Sequence, residues 1–148
     1  MECFTTTSGR DDAMLRGFTT LNFYVDDVPE AVDWYRSLLG IEPYFARPSA
    51  EEPAYVEFRV GDYQHELGLI DSRYRPAGIA GDRPAGTVMY WHVDDVPAAV
   101  ERVQSLGGTE LEPPTVRGPG WVTATVADPF GNMLGLMHSP HYLEVLGR

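Results

Sequence analysis

The sequence contains a single cysteine, Cys3, so no disulfide can close within the chain. It has no apolar run long enough to span a bilayer, and no basic segment followed by an apolar stretch at its N-terminus. Basic residues are scarce: 11 Lys and Arg stand against 22 Asp and Glu, and the resulting net charge of −11 repels nucleic acid and anionic membranes. Nucleophilic chemistry has no support, because Cys3 lies in a polar leader and no GxSxG elbow is present. These absences lead to the expectation of a soluble, cytoplasmic protein with neither nucleic-acid nor membrane partners. The acidity itself has two readings, solubility or a preference for a cationic ligand.

What is present is a duplication. VDDVPEAV at Val25–Val32 returns as VDDVPAAV at Val93–Val100, seven of eight residues identical at an offset of 68. Ser37, Leu38 and Gly40 match Ser105, Leu106 and Gly108, and further on Tyr55-Val56 aligns with Trp121-Val122 and Leu67-Gly68-Leu69 with Leu134-Gly135-Leu136. Each copy opens with alternating apolar residues, Leu21, Phe23, Val25 or Met89, Trp91, Val93, the period of a strand. Val28, Ala31, Val32, Tyr35, Leu38 and Val96, Ala99, Val100, Val103, Leu106 then fall at helical spacing. Asp27 and Asp95 are placed to cap those helices, Pro29 and Pro97 sit in their first turns, and Gly40 and Gly107 end them. Shorter strands are expected at Tyr44–Ala46, Tyr55–Val60 and Glu66–Asp71, and at Thr109–Leu111, Trp121–Val126 and Met133–His138. The length, with 43% hydrophobic and 22% charged residues, suits one globular domain. The expected organisation is a flexible leader at 1–17, one domain at 18–138 and a tail at 139–148. Within the domain, module one covers 18–71, a linker 72–86 and module two 87–138.

Two βαβββ units, VDDV ahead of each helix and Asp128-Pro129-Phe130-Gly131-Asn132 ahead of the last strand resemble the vicinal oxygen chelate superfamily, the glyoxalase, bleomycin-resistance and extradiol-dioxygenase group. The resemblance covers about Phe18 to His138. It implies an α+β fold in which tandem βαβββ modules form a curved, partly open mixed sheet, with helices on the convex face and the ligand in the concavity. It also implies metal-ligand positions, which fall here on Thr20, Gly68, Val88 and Gly135. None of these is a good first-row metal donor, so no metal and no cofactor are expected. An atypical site drawing on His92, Glu66, His65 or Glu57 is the alternative. Gly68 and Gly135 are expected to leave space at the cavity floor.

Strand parity gives an independent route to the cavity face. If the odd residues of each first strand pack under the helices, Thr20, Asn22, Tyr24 and Val88, Tyr90, His92 point the other way. Tyr55, Glu57, Arg59 and Trp121, Thr123, Thr125 join them, with Glu66, Gly68, Ile70 and Met133, Gly135, Met137. The face is aromatic and polar, which suits a small organic ligand, a solvated sheet surface or a dimer interface. The candidate ligand-binding residues are Asn22, Tyr24, Tyr55, Glu57, Tyr90 and Trp121, and the candidate acid–base pair is Glu66 with His92.

The leading expectation is a homodimeric, metal-free small-molecule-binding protein of the bleomycin-resistance type, sequestering an aromatic or cationic compound by stacking and cation–π contact. The alternatives are a small lyase, isomerase or dioxygenase-like enzyme using Glu66 and His92 or an atypical metal, and a non-catalytic protein-interaction module that uses the tail.

Overall fold

The computed structural model describes residue 14 and residues 18–75 and 87–147. The expected leader apart from Met14, including Cys3, and residues 76–86 of the expected linker lie outside them. Strand β1 (Thr20–Val25) runs into helix α1 (Val28–Leu39). The Glu30 N–H donates to the Asp27 carboxylate at 3.0 Å, satisfying one of the free donors of the first turn. Gly40 ends α1 at φ 68°, a left-handed conformation in which glycine has no Cβ to clash. The helix buries Val28, Ala31, Val32 and Tyr35, the stripe set by the sequence spacing. Strands β2 (Phe45–Arg47), β3 (Tyr55–Val60) and β4 (His65–Asp71) follow, then a single 3₁₀ turn at Ser72–Tyr74.

The second copy contributes β5 (Tyr90–His92), α2 (Val96–Ser105), β6 (Thr109–Gly118), β7 (Trp121–Ala127) and β8 (Met133–His138). The Ala98 N–H donates to Asp95 at 3.0 Å, repeating the first cap. Two strands of this copy depart from expectation by more than one residue. β5 is shorter than Val88–Val93, although Met89 and Val93 still exchange backbone bonds of 2.9 Å with Gly135 and Met137. β6 continues through Pro113 and Pro114 to Gly118 instead of stopping at Leu111. It is an edge strand with register shifts, where a residue lacking an N–H does little harm. The tail forms a third helix, α3 (Pro140–Leu146), capped by Ser139.

The fold is α+β, with two four-stranded sheets in the orders β1-β4-β3-β2 and β5-β8-β7-β6. In each, the first strand lies parallel to the last and the other pairings are antiparallel. Helix α1 packs on β3 and β4, and α2 on β6, β7 and β8. Phe23, Val25, Val56, Phe58, Leu67 and Leu69 fill the space beneath α1, and Ala124, Val126, Leu134 and Leu136 that beneath α2, in one continuous core. The registers also correct the alignment of the copies. Phe58 pairs with Leu67 as Val126 pairs with Leu134, so Tyr55 corresponds to Thr123 and not to Trp121. A slip of two residues preserves the in–out alternation of a strand, so parity alone could not reveal it.

The two copies are tied together on the helix side. The Tyr35 hydroxyl, fully buried in α1, donates to Asp128 Oδ2 at 2.6 Å. Asp128 is only 4% exposed. It also receives the backbone N–H groups of Phe130 at 2.9 Å and Asn132 at 2.7 Å and the Asn132 amide at 3.0 Å. Alongside, Trp34 donates to the Leu106 carbonyl at 2.7 Å and meets Phe130 edge-on, and Arg102 donates to the Ser37 carbonyl at 3.0 Å. Burial first, and then Asp128, hold the Tyr35 phenol well above its ordinary 10.0.

Replacing Tyr35 by Phe leaves a buried carboxyl group short of one donor and is expected to lower stability by about 1–3 kcal/mol in denaturant titrations. The native state retains the Tyr35 proton where the unfolded chain gives it up. The contribution is therefore whole below pH 10.0 and is lost as pH rises from there toward the native value. The alkaline fall in stability of the parent protein should be shallower in Tyr35→Phe; an equally steep fall would contradict this assignment.

Candidate functional site

Three rows of side chains cross the face of the first sheet turned away from α1. Register places Thr20, Glu66 and Arg59 in one, Asn22, Gly68, Glu57 and Phe45 in the next, and Tyr24, Ile70, Tyr55 and Arg47 in the third. Over the second and third rows lies an open groove of about 820 Å³, lined by Asn22, Arg47, Ala54, Tyr55, Ile70 and Tyr74. A volume of this order accommodates a small organic molecule.

Glu57 belongs to this face but is only 7% exposed, covered by its neighbours. One of its oxygens accepts the Tyr44 hydroxyl and the other the Tyr55 hydroxyl, so the carboxyl group is internally satisfied. Burial, followed by the bond to Glu57, pushes the Tyr55 phenol well above its usual range. For Tyr44 the bond to Glu57 leads, with Arg59 acting in the opposite direction from 4.0 Å above the ring. The space expected above Gly68 is filled: a Cβ there would meet Asn22 Oδ1 at 2.1 Å and Tyr55 Cε2 at 2.8 Å. Glycine lets Asn22 from its own row and Tyr55 from the next lean across it, so the missing side chain becomes packing and not cavity.

The second sheet treats the same positions differently. Its rows read Tyr90, Gly135, Thr125, Glu112 and His92, Met137, Thr123, Thr115. The Tyr90 ring lies across Gly135, with ring atoms 2.5 to 2.9 Å from where a Cβ would stand. Arg117 donates to the Thr123 hydroxyl at 3.0 Å and pairs with Glu112, covering the buried Thr123 and Thr125. Trp121 pairs with Gly118 at the strand end. Tyr90 and Trp121 therefore stand apart from the groove, whereas Asn22 and Tyr55 line it and Tyr24 shares the third row.

Glu66 and His92 do not form a pair. Glu66 accepts the Thr20 hydroxyl at 2.9 Å. His92 accepts the Ser139 N–H on Nδ1 at 3.1 Å, faces Asp94 through Nε2 at 3.3 Å and stacks on Tyr142 with ring centres 4.6 Å apart. Tyr142 in turn donates to Asp62 at 2.6 Å, which with burial moves its phenol up to about 12. His92 thus anchors α3 at the start of that helix, and Tyr142 ties α3 to the β3–β4 turn. The resemblance-derived metal positions carry a hydroxyl engaged by Glu66, two covered glycines and aliphatic Val88. Among the described residues no three His, Cys, Asp or Glu side chains are grouped to hold a metal ion.

Sequence reasoning missed Arg47, Pro48, Ala54 and Tyr74 as lining residues. The first depends on how β2 pairs with β3, and β2 lies one residue later than its composition suggested. Tyr74 comes from the turn after β4, where no periodicity exists to read.

The family model described as the Glyoxalase/Bleomycin resistance protein/Dioxygenase superfamily matches residues 17–136. Similar solved structures include a glyoxalase-related enzyme from Fulvimarina pelagi, 20% identical with a TM-score of 0.66, covering 85% of this chain and 90% of that one. A member of the same superfamily from Sphaerobacter thermophilus is 22% identical with a TM-score of 0.65, covering 86% of this chain and 100% of its own. At such identities the likeness concerns the fold. No curated protein sequence matches the chain.

Gly68→Ala is expected to displace Asn22 or the Tyr55 ring and to cost about 1–3 kcal/mol through overpacking, read as a lower denaturation midpoint. An alanine variant with unchanged stability would contradict the account of a filled floor.

Proposed function

The chain belongs to the Glyoxalase/Bleomycin resistance protein/Dioxygenase superfamily, and we propose that it is a member that binds a small organic molecule in the groove of its first module without using a metal ion. The groove itself carries this reading: about 820 Å³ of open space with aromatic walls at Tyr55 and Tyr74, aliphatic Ile70 and Ala54, and polar groups at Asn22 and Arg47. That mixture of apolar wall and few polar groups is what small-molecule sites use for affinity and orientation. The metal-dependent chemistries of the superfamily find no donor set at Thr20, Gly68, Val88 and Gly135. Acid–base catalysis by Glu66 with His92 is disfavoured, since His92 is engaged at the cap of α3.

The aromatic half of the expected ligand chemistry gains support from Tyr55 and Tyr74. The cationic half, for which Glu66 or Glu57 would supply the counter-charge, gains less: Glu57 is covered by the Tyr44 and Tyr55 hydroxyls, and Glu66 lies at the far row and holds Thr20. A homodimer and a cytoplasmic location belong to the same proposal; exposed Val88, Met89, Leu111 and Val116 in the second module offer apolar surface for association. No described helix is long and apolar enough to cross a membrane.

A thermal-shift screen of planar aromatic compounds, run with and without a chelator, tests the reading. A ligand held at 100 times its Kd stabilises by about 2.7 kcal/mol. The expected result is a rise in Tm that the chelator leaves intact, that Tyr55→Ala abolishes, and after which the compound is recovered unchanged on long incubation. Stabilisation that disappears with the chelator, or conversion of the compound, would overturn it.

A further inference from the structure

The charge lining the groove is opposite in sign to the charge of the protein. Among the described arginines, Arg36 pairs with Asp33 and Glu42, Arg73 with Asp71 and Arg117 with Glu112. Arg59 lies over Tyr44, Arg75 stands 6.0 Å from the Tyr24 ring centre, and Arg102 donates to the Ser37 carbonyl. Arg47 lines the groove, and its side chain has no hydrogen-bond, ion-pair or ring partner among the described residues. In a chain with 22 acidic residues against 11 basic ones, a guanidinium at the lip of a cavity with no carboxylate partner among the described residues is a selective arrangement.

The two acids on this sheet face do not compete for it. Glu57 lies in the neighbouring row and is closed off by Tyr44 and Tyr55, while Glu66 is two rows away and holds Thr20. Arg47 stands directly across from Tyr55 in the β2–β3 ladder, with Ile70 beyond it, so its guanidinium borders an aromatic and aliphatic wall. The Asn22 amide faces the same space. A planar guanidinium offers parallel N–H donors that match the two oxygens of a carboxylate, and a flat apolar body attached to that carboxylate would extend over Tyr55 and Ile70.

Resting on the reading of the groove as a binding site, we propose that its ligand is a planar aromatic carboxylate, with Arg47 gripping the carboxylate and Tyr55 and Ile70 covering the ring. Arg47 is then the residue that sets specificity, and the protein selects an anion despite its own net negative charge.

Three probes of one shape test this: 2-naphthoate, its neutral amide 2-naphthamide, and cationic 2-naphthylmethylamine, each titrated by calorimetry into the intact protein. The carboxylate is expected to bind about ten-fold more tightly than either other probe, the equivalent of about 1.4 kcal/mol for a charge-assisted contact. Its affinity should fall with added salt. Arg47→Ala should reduce the carboxylate to the level of the amide while the amide is unaffected, and Arg47→Lys, which keeps the charge but not the fork, should fall between. Equal binding of the amide or the amine that still requires Tyr55 would overturn the assignment to Arg47 and leave the groove standing. An unchanged preference in Arg47→Ala would overturn it as well. Absence of binding by all three probes would overturn this inference together with the groove reading beneath it.

Discussion

The hydrogen bond from Tyr35 to Asp128 joins the two halves of the molecule, giving the buried Tyr35 hydroxyl an acceptor from the other repeat. The turn Asp128-Pro129-Phe130-Gly131-Asn132 folds around its own aspartate, which gathers two backbone N–H groups and the Asn132 amide. The fourth donor comes from α1 of the other repeat. Both partners are buried, so loss of Asp128 strands the Tyr35 hydroxyl and loss of the hydroxyl leaves the carboxylate short of one donor, a cost that makes the contact specific. Trp34 adds an edge-on contact with Phe130 beside it, and the Tyr35 ring lies 5.9 Å from that of Phe23 on β1. The placement of α1 thus reaches the first sheet, whose opposite face carries the groove.

From equivalent backbones the two sheets build opposite surfaces. Asn22 and Tyr90 occupy the same position over Gly68 and Gly135, and Tyr55 and Thr123 the same position in the next row. In the second sheet a long edge strand brings Arg117 and Glu112 over the threonines, and the Tyr90 ring closes the floor. In the first, β2 is only three residues long, so the corresponding cover is absent and Arg47 is left at the rim. The functional asymmetry thus arises from the lengths of β2 and β6 as much as from the residues they carry.

Much of this was legible in the sequence because it depends on local period and local capping. The helix stripes, the aspartate caps, Gly40 and the two faces of β1 and β3 follow from spacing alone. What depended on pairing was not legible. Trp121 was matched with Tyr55 because a two-residue slip leaves parity intact, and only the ladder shows that Thr123 stands there. Glu57 has the right parity for the cavity face, yet Tyr44, from outside its strand, closes over it. His92 has the right parity too, but its ring is claimed by α3, an element whose docking no periodicity announces. Arg47 was missed because a three-residue strand has too little alternation to fix its register.

The central claim is that one face of the duplicated fold is open to a ligand and its counterpart is closed by its own side chains. Backbone and side-chain NMR shifts recorded while a planar aromatic ligand is titrated in test it most directly. The account predicts shifts that concentrate on Asn22, Arg47, Tyr55 and Ile70 and leave Tyr90, Thr125 and Gly135 in place. Shifts centred on the second sheet, or spread equally over both, would contradict it.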